Sequence, residues 1–497
     1  LLGYDIGSSS VKASLVNIDT RKSIANAWFP KNEMEITSVK RGWAEQDPEI
    51  WWDNLKLATR DLLNKTNANG KDIKAIGISY QMHGLICIDH SHKVLRPSII
   101  WCDSRAVSIG EKVFKTFGEE YCLNHLLNSP GNFTAAKLKW VQENEPELFE
   151  KTFKILLPGD YIALKLTGEV NSTISGYSEG IFWDFKNNKP ADSLLHHLGF
   201  SPDILPDLVP TFSEQGKVTL KASAELGISQ GIPVTYRAGD QPNNAFSLNV
   251  LNPGEIAATA GTSGVVYGVS DIVSHDPQSR INTFAHVNHT NLQSRLGILL
   301  CINGTGILNA WIRKNIGNTG NTYESMNEIA SGISIGSDGL VILPFGNGAE
   351  RILGNRDTGS WLGHISFNTH SYKHILRATQ EGIAFAFHYG MQIMKQNGIH
   401  PTIIRAGYAN MFMSTIFSET LAGITGTTIE LFDTDGAQGA AKGAGLGAGI
   451  YHSFEETFRE FYSIRTIRPD INKLSQYQEA YAIWLESLNH LITLNSN

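Results

Sequence analysis

Asp5-Ile6-Gly7-Ser8-Ser9-Ser10-Val11-Lys12 opens the chain, and Ala260-Gly261-Thr262-Ser263-Gly264-Val265 repeats its plan in the second half. Each is a glycine-and-hydroxyl turn that joins one apolar stretch to another. Glycine lets a backbone approach a phosphate, and Ser or Thr adds hydrogen-bond donors. One such turn is a common hairpin. Two, one per half, point to a nucleotide gripped between two related domains. Ser8 and Ser9 in the first turn and Gly261 and Thr262 in the second are then the phosphate-facing residues.

Around the first turn, residues 2–6, 11–18 and 23–29 read as a three-strand meander. Pro48 starts a helix behind Asp47 as N-cap, with Leu55, Ala58 and Leu62 on its apolar face. Residues 75–79 form a buried strand interrupted at Gln81-Met82-His83-Gly84, and strand character resumes over 85–88 and 99–101. Residues 135–166 read as helical, broken at Pro158-Gly159. Around the second turn, residues 256–260, 265–269, 283–287 and 296–302 read as strands. Helices are expected over 306–316, 372–396 and 413–424, with a strand at 403–405. The Gly/Ala-rich stretch 436–449 suits close helix packing, and an amphipathic helix carrying Tyr477, Tyr481, Trp484, Leu488 and Leu491 ends the chain. The fold class is therefore α/β, repeated at domain scale, with no short tandem repeat.

At 497 residues the chain exceeds what one core sustains, so two domains are expected. Its 41% hydrophobic and 18% charged residues are ordinary for a globular protein. The net charge of −7, without a basic tract, argues against nucleic acid as a partner. Cys87, Cys102, Cys122 and Cys301 form no CxxC pair and read as reduced and mostly buried, which suits a cytoplasmic location. No apolar run reaches membrane-span length and no signal peptide is apparent. The chain opens at Leu1 without methionine, so a residue or two is expected ahead of the first strand.

Asp240, in Arg237-Ala238-Gly239-Asp240-Gln241, falls where a strand over 233–236 ends. There a carboxylate either takes a proton from an alcohol as general base or caps the next helix. Asp5 either holds Mg²⁺ through water or orders its turn, and Lys12 is a phosphate neighbour or a solvated strand residue. His83, at a break between strands, is a satisfied structural group or a ligand contact. Trp51, Trp52 and Trp101 read as core, with sugar stacking as the other reading. Glu350 and Arg351 read as a loop ion pair. No GxxxxGK[ST] is present, which disfavours a Walker-type kinase.

Taken in order, these segments resemble the FGGY carbohydrate kinases. The resemblance runs through the first turn, Trp43-Ala44-Glu45-Gln46-Asp47-Pro48, Gln81-Met82-His83-Gly84 and Leu95-Arg96-Pro97. It continues through Leu157-Pro158-Gly159-Asp160-Tyr161, Ala238-Gly239-Asp240, the second turn and the 348–351 loop. Gln81-Met82-His83-Gly84 is similar to the branch that acts on xylulose. The resemblance implies two actin-like, ribonuclease-H-like ATPase domains around a cleft, residues 1–246 for sugar and catalysis and 247–497 for nucleotide. It implies ATP-dependent phosphorylation of D-xylulose to D-xylulose 5-phosphate with Mg²⁺. Asp240 then matches the catalytic base, Met82 and His83 the sugar contacts, and Gly261 and Thr262 the phosphate turn. Gly304 matches a second nucleotide-facing loop and Asp5 an acid near the metal. The adenosine side falls on Ala406-Gly407-Tyr408-Ala409-Asn410, where Ala409 and Asn410 stand in place of the family's glycines. Segments 172–183 and 240–244 depart from the pattern. A small-molecule sugar is the expected partner, with neither nucleic acid nor membrane, and the reading is compatible with a homodimer. Two alternatives stay open: a kinase for ribulose, fuculose or glycerol, and a non-catalytic actin-like ATP-binding protein.

Overall fold

The computed structural model describes residues 1–66, 68–316 and 320–494. Among them, β1 (Leu2–Ile6), β2 (Val11–Val16), β3 (Ser23–Phe29), β4 (Ile76–Tyr80) and β5 (Val234–Gly239) form one sheet in the order β3-β2-β1-β4-β5. β1 runs antiparallel to β2 and parallel to β4, and β4 runs parallel to β5. The register sets Asp5 opposite Ser79, Ile6 opposite Tyr80, and Gly239 opposite Tyr80. Three parallel strands thus release the chain at one edge, where Gly7, Gln81 and Asp240 follow. Carboxyl-terminal strand ends are where open α/β sheets place their ligands.

A second sheet is built from β6 (Glu255–Ala260), β7 (Gly264–Ser270), β8 (Asn282–Ala285), β9 (Leu296–Ile302), β10 (Ile403–Gly407), β11 (Ile429–Phe432) and β12 (Arg465–Ile467). Its order is β8-β9-β7-β6-β10-β11-β12. The segment β9-β7-β6-β10-β11 repeats the first sheet's plan, with β8 and β12 added at its edges. Here too the parallel strands β6, β10 and β11 release the chain at one edge, at Gly261, Tyr408 and Asp433.

The central strands β1, β4 and β5 are buried on both faces, where helices cover them, whereas the edge strand β3 is half exposed. Helix α1 (Pro48–Thr66) buries Trp51, Trp52, Leu55 and Leu62, and its Thr59 hydroxyl meets the Tyr4 hydroxyl at 2.7 Å. Residues 135–166 are not one broken helix. They hold α2 (Thr134–Asn144), a six-residue helix Pro146–Lys151, a strand Lys154–Leu156 and α3 (Pro158–Thr167). Pro158 starts α3 rather than breaking a helix, because its missing N–H costs nothing in a first turn. The Asp160 carboxylate accepts from the Leu157 amide at that start. Helices α4 (Ile174–Glu179) and α5 (Asp240–Ser247) carry site residues. α6 (Gly306–Asn315) follows the second sheet's β9, and α7 (Tyr372–Gln396) spans that sheet's core.

Helix α8 (Gly436–Gly447) belongs to the second half of the sequence but packs on the first sheet, against β1, β2, β4 and β5. Glycine is required there. A methyl group on Gly3 would stand 1.9 Å from the Ala437 carbonyl oxygen, and one on Gly77 1.9 Å from that of Ala440. Helix α9 (Leu474–Leu494) closes the second sheet's far side, where Trp484 donates to the Ile342 carbonyl at 3.1 Å. Strand character over 85–101 survives only as short ladders outside both sheets, with Ile86–Ile88 and Ser98–Ile99 as their members. Among the described residues no helix is long and apolar enough to cross a membrane. Cys87 and Cys122 are buried as expected. Cys102 and Cys301 are exposed, against the expectation that the cysteines are mostly buried.

Candidate functional site

Asp240 is the first residue of α5, immediately after β5, with Gly239 in the N-cap position. Of the two readings of Asp240, the cap does not form: the cap residue is Gly239, and the Asp240 carboxyl is met by the Gln241 backbone and side chain. Burial, reinforced by the negative Asp5 carboxylate, raises Asp240 to about 7. A carboxylate near neutrality, at a strand end, has the proton affinity that general-base work on an alcohol needs.

Asp5, on β1 and separated from β5 by β4, acts on Asp240 through its charge. The Ser79 hydroxyl donates to Asp5 Oδ1 at 2.9 Å, and the Lys12 ammonium lies 3.7 Å from its Oδ2. A methyl group on Gly436, the first residue of α8, would lie 2.7 Å from the Asp5 carboxyl carbon. Asn243 of α5 donates to the Gly436 carbonyl at 2.9 Å. The starts of α5 and α8 therefore meet beside the two carboxylates. Burial, with Asp5 close by, also raises Asp435, the N-cap residue of α8. Among the described residues no group of three or more His, Cys, Asp or Glu forms a ready-made metal cage. Two carboxylates at an open edge suit Mg²⁺, which keeps its waters and is held by one or two carboxylates plus substrate phosphates.

His83 and Met82 sit beyond the end of β4, one strand from Asp240. His83 has φ +63°, a left-handed backbone that turns the chain out of the sheet. Three contacts hold it. Its Nδ1 lies 3.0 Å from the Glu179 carbonyl, its own carbonyl accepts from Lys137 Nζ at 2.8 Å, and its ring packs edge-on against Phe133. Since a carbonyl only accepts, Nδ1 carries the proton and Nε2 is left as an acceptor. Burial, with the Lys137 ammonium nearby, lowers the imidazole to about 3, so the ring is neutral. Met82 is buried, and its Cγ lies 2.6 Å from where a side chain on Gly239 would begin.

Two residues of this corner were not singled out from the sequence. Lys137 of α2 is fully buried, donates also to the Ile100 carbonyl at 3.0 Å, and is lowered by burial to about 7. Glu179, the last residue of α4, is buried, and burial pushes its carboxyl well above the usual range. Its Oε2 would lie 2.9 Å from a methyl group on Gly239. α4 also ties this corner to the second sheet: Ser175 Oγ donates to the Ala285 carbonyl at 3.0 Å, and the Ala285 amide donates to Ser178 Oγ at 2.9 Å. Glu179 lies in the segment that departs from the family pattern, which was its only signal in the sequence. Lys137 gave none.

The two turns are built differently. In the first, the Gly7 amide bonds the Ser10 carbonyl at 3.1 Å, and the Ser9 carbonyl accepts from Met34. The Ser8 carbonyl accepts from Gln46 at 2.7 Å and its Oγ from Trp101 Nε1 at 3.4 Å. Trp101 is thus an exposed residue over the turn and not core, whereas Trp51 and Trp52 are buried as expected. In the second turn the Gly261 and Thr262 carbonyls accept from the Gly306 and Ile307 amides, which fixes the turn to the start of α6. Asn410 Nδ2 lies 3.6 Å from where a side chain on Gly261 would begin. Asn410 has φ +54°, so it does take a conformation that glycine favours, whereas Ala409, with φ −155°, is simply extended. Gly407 ends β10, and the Thr434 carbonyl is 4.0 Å from its missing Cβ. A continuous path of neighbours therefore runs from Asp5 through Gly436 and Thr434 to Gly407, Asn410 and Gly261.

Gly304 lies in the loop before α6, and the Glu350 carboxylate accepts from the Asn303 and Gly304 amides at 3.0 and 2.9 Å. Burial raises Glu350 to about 7 despite those bonds. Arg351 bonds Asn282 instead of Glu350, so the expected loop ion pair does not form. The reason is that the two adjacent side chains serve opposite neighbours.

The model of the FGGY family of carbohydrate kinases, N-terminal domain, matches residues 1–247, and that of the C-terminal domain matches residues 256–450. A xylulose kinase of Bacillus subtilis is 27% identical over 507 aligned residues, covering 100% of this chain and 98% of that protein. A crystal structure described as a xyloylose kinase from Brucella ovis superposes with a TM-score of 0.87 at 26% identity, covering 99% of each chain. Plasmodium falciparum glycerol kinase with ADP shares the fold at a TM-score of 0.87 and 20% identity, over 99% of this chain and 97% of that one. With both family models matched in order and two sheets of one plan in the structure, the chain belongs to the FGGY family of carbohydrate kinases.

Proposed function

We propose that this kinase phosphorylates D-xylulose at its terminal hydroxyl, giving D-xylulose 5-phosphate, with Asp240 as general base. The observation that carries the reading is the Asp240 carboxyl, raised to about 7 and set one strand from His83 and Met82. Asp240 accepts the hydroxyl proton as that oxygen attacks the γ-phosphorus, and the bond from phosphorus to the ADP oxygen breaks. The protein's share is positioning and charge, as is usual for phosphoryl transfer. His83 Nε2 accepts from a sugar hydroxyl and Met82 packs against the carbon skeleton. Mg²⁺, when bound, neutralises charge on the phosphates, and Asp5 is the residue placed to hold its waters.

Ser8 and Ser9 in the first turn, Gly261 and Thr262 in the second, and Gly304 form the phosphate side. Gly407, Ala409 and Asn410 form the adenosine side. Residues 1–246 act as the sugar unit and 247–497 as the nucleotide unit. The names of the relatives support xylulose over other sugars. A coupled assay of ATP turnover with D-xylulose, D-ribulose and glycerol tests the reading. The highest kcat/KM is expected for D-xylulose. A preference for ribulose or glycerol would replace the substrate and leave the kinase, and no sugar-stimulated turnover would remove both.

A further inference from the structure

Away from the strand ends just described lies a cavity of about 510 Å³. Its walls come from the β2–β3 hairpin, the loop after β11, helix α8 and residues 457–464. Lys442 of α8 reaches it. This lysine is only 3% exposed, and its ammonium stands 4.0 Å over the Phe461 ring and 5.4 Å from that of Phe458. Among the described residues, no carboxylate, carbonyl or hydroxyl accepts a hydrogen bond from it. Buried lysines are almost always paired, since an ammonium without an acceptor loses its hydration for nothing in return. Arg21, Lys22 and Arg459 line the same cavity, against the carboxylates of Asp433 and Glu460. Arg21 is already engaged by the Glu456 carbonyl and the Tyr451 ring, so Lys442, Lys22 and Arg459 are the cations left to a ligand.

We propose that this cavity is a binding site for a phosphate dianion, free or as a phosphate monoester, with Lys442 as its central donor. With Arg21 paired to Glu456, the three remaining cations still outnumber the lining carboxylates of Asp433 and Glu460, so the cavity carries the sign that attracts an anion. Three ammonium protons suit phosphate oxygens, and charge-assisted bonds of this kind are the strong ones. The location gives the site a consequence. A ligand there bridges a hairpin of the first sheet and the edge of the second, so it ties together the two bodies whose strand ends hold Asp5 and Gly261.

Burial lowers Lys442 to about 8, and Asp435, seven residues back on α8, acts in the opposite sense. A bound dianion restores the full ammonium. Binding near pH 8 should therefore take up part of a proton, which a merely structural lysine cannot produce.

The test is isothermal titration of the full chain, saturated with a non-hydrolysable ATP analogue so that the nucleotide site is filled. Inorganic phosphate and D-ribose 5-phosphate are the two probes, each run in two buffers of different ionisation enthalpy. Binding with a buffer-dependent heat is expected. Lys442→Met, which keeps the length of the side chain, should weaken it about tenfold or more, and exposed Arg459→Ala about threefold. Tighter binding of one probe identifies the free ion or the monoester as the ligand, and either supports the site. No heat up to about 10 mM of either probe, or equal affinity in wild type and both variants, overturns it.

Discussion

At the scale of single residues, the site depends on carboxyls moved from their ordinary pKa values. Asp240 must be ionised to accept a proton, and burial with Asp5 nearby sets it at about 7. The expected kcat/KM falls tenfold per unit below that pH and levels above it, as a pH–rate profile will show. Because Asp5 raises Asp240, Asp5→Asn should shift the acid limb of the residual activity to lower pH. An unmoved limb would mean that Asp240 is not the titrating group. Asp240→Asn keeps the shape but cannot take the proton, so turnover should drop about 10²–10⁴-fold with sugar affinity nearly kept. His83→Ala removes the Nε2 acceptor. It should raise KM for D-xylulose about 5–150-fold and narrow the gap to D-ribulose, with KM for ATP unchanged. Asp240, His83 and Asp5 were legible in the sequence because each follows or ends a readable strand beside a glycine. Lys137 and Glu179 were not. They come from helices far along the chain, and only the left-handed turn at His83 brings them in.

At the scale of elements, periodicity placed the long helix Tyr372–Gln396 and the meander around each turn, since both have one dominant period. It missed the strand Lys154–Leu156, which is too short to show a period and pairs outside the sheets. It also left open what the Gly/Ala helix packs on, because small residues say that something comes close without saying what. The structure answers with β1 and β4. Gly77→Val would drive a side chain into the Ala440 carbonyl, so overpacking should cost about 1–3 kcal/mol or more, read as a lower denaturant midpoint. Asn410 makes the opposite case. Asn410→Gly should keep stability and ATP affinity, because φ +54° suits glycine. Asn410→Val should cost about 1–2 kcal/mol and raise KM for ATP, since a branched side chain resists that backbone.

At the scale of the whole molecule, the duplicated plan was legible because each turn sits in the same strand context. The arrangement of the halves was not, since it is fixed by contacts that no local pattern records. With sugar and nucleotide proposed at the strand ends of different sheets, binding both should draw the two bodies together, as closure does in enzymes that exclude water. Solution scattering with D-xylulose and a non-hydrolysable ATP analogue should show a smaller radius of gyration than the free protein. An unchanged value at saturation would count against closure. The seat of α8 on the first sheet also bears on heredity and engineering. A chain cut between the sheets would leave the amino-terminal fragment without the helix that shields β1 and β4, exposing Tyr236, Ala238 and the furrow lined by Gly3 and Gly77 to self-association. Neither fragment should be a separate folding unit. The pair should recover activity only when produced together, and a domain transplanted from a distant kinase should fail unless its partner's α8 travels with it.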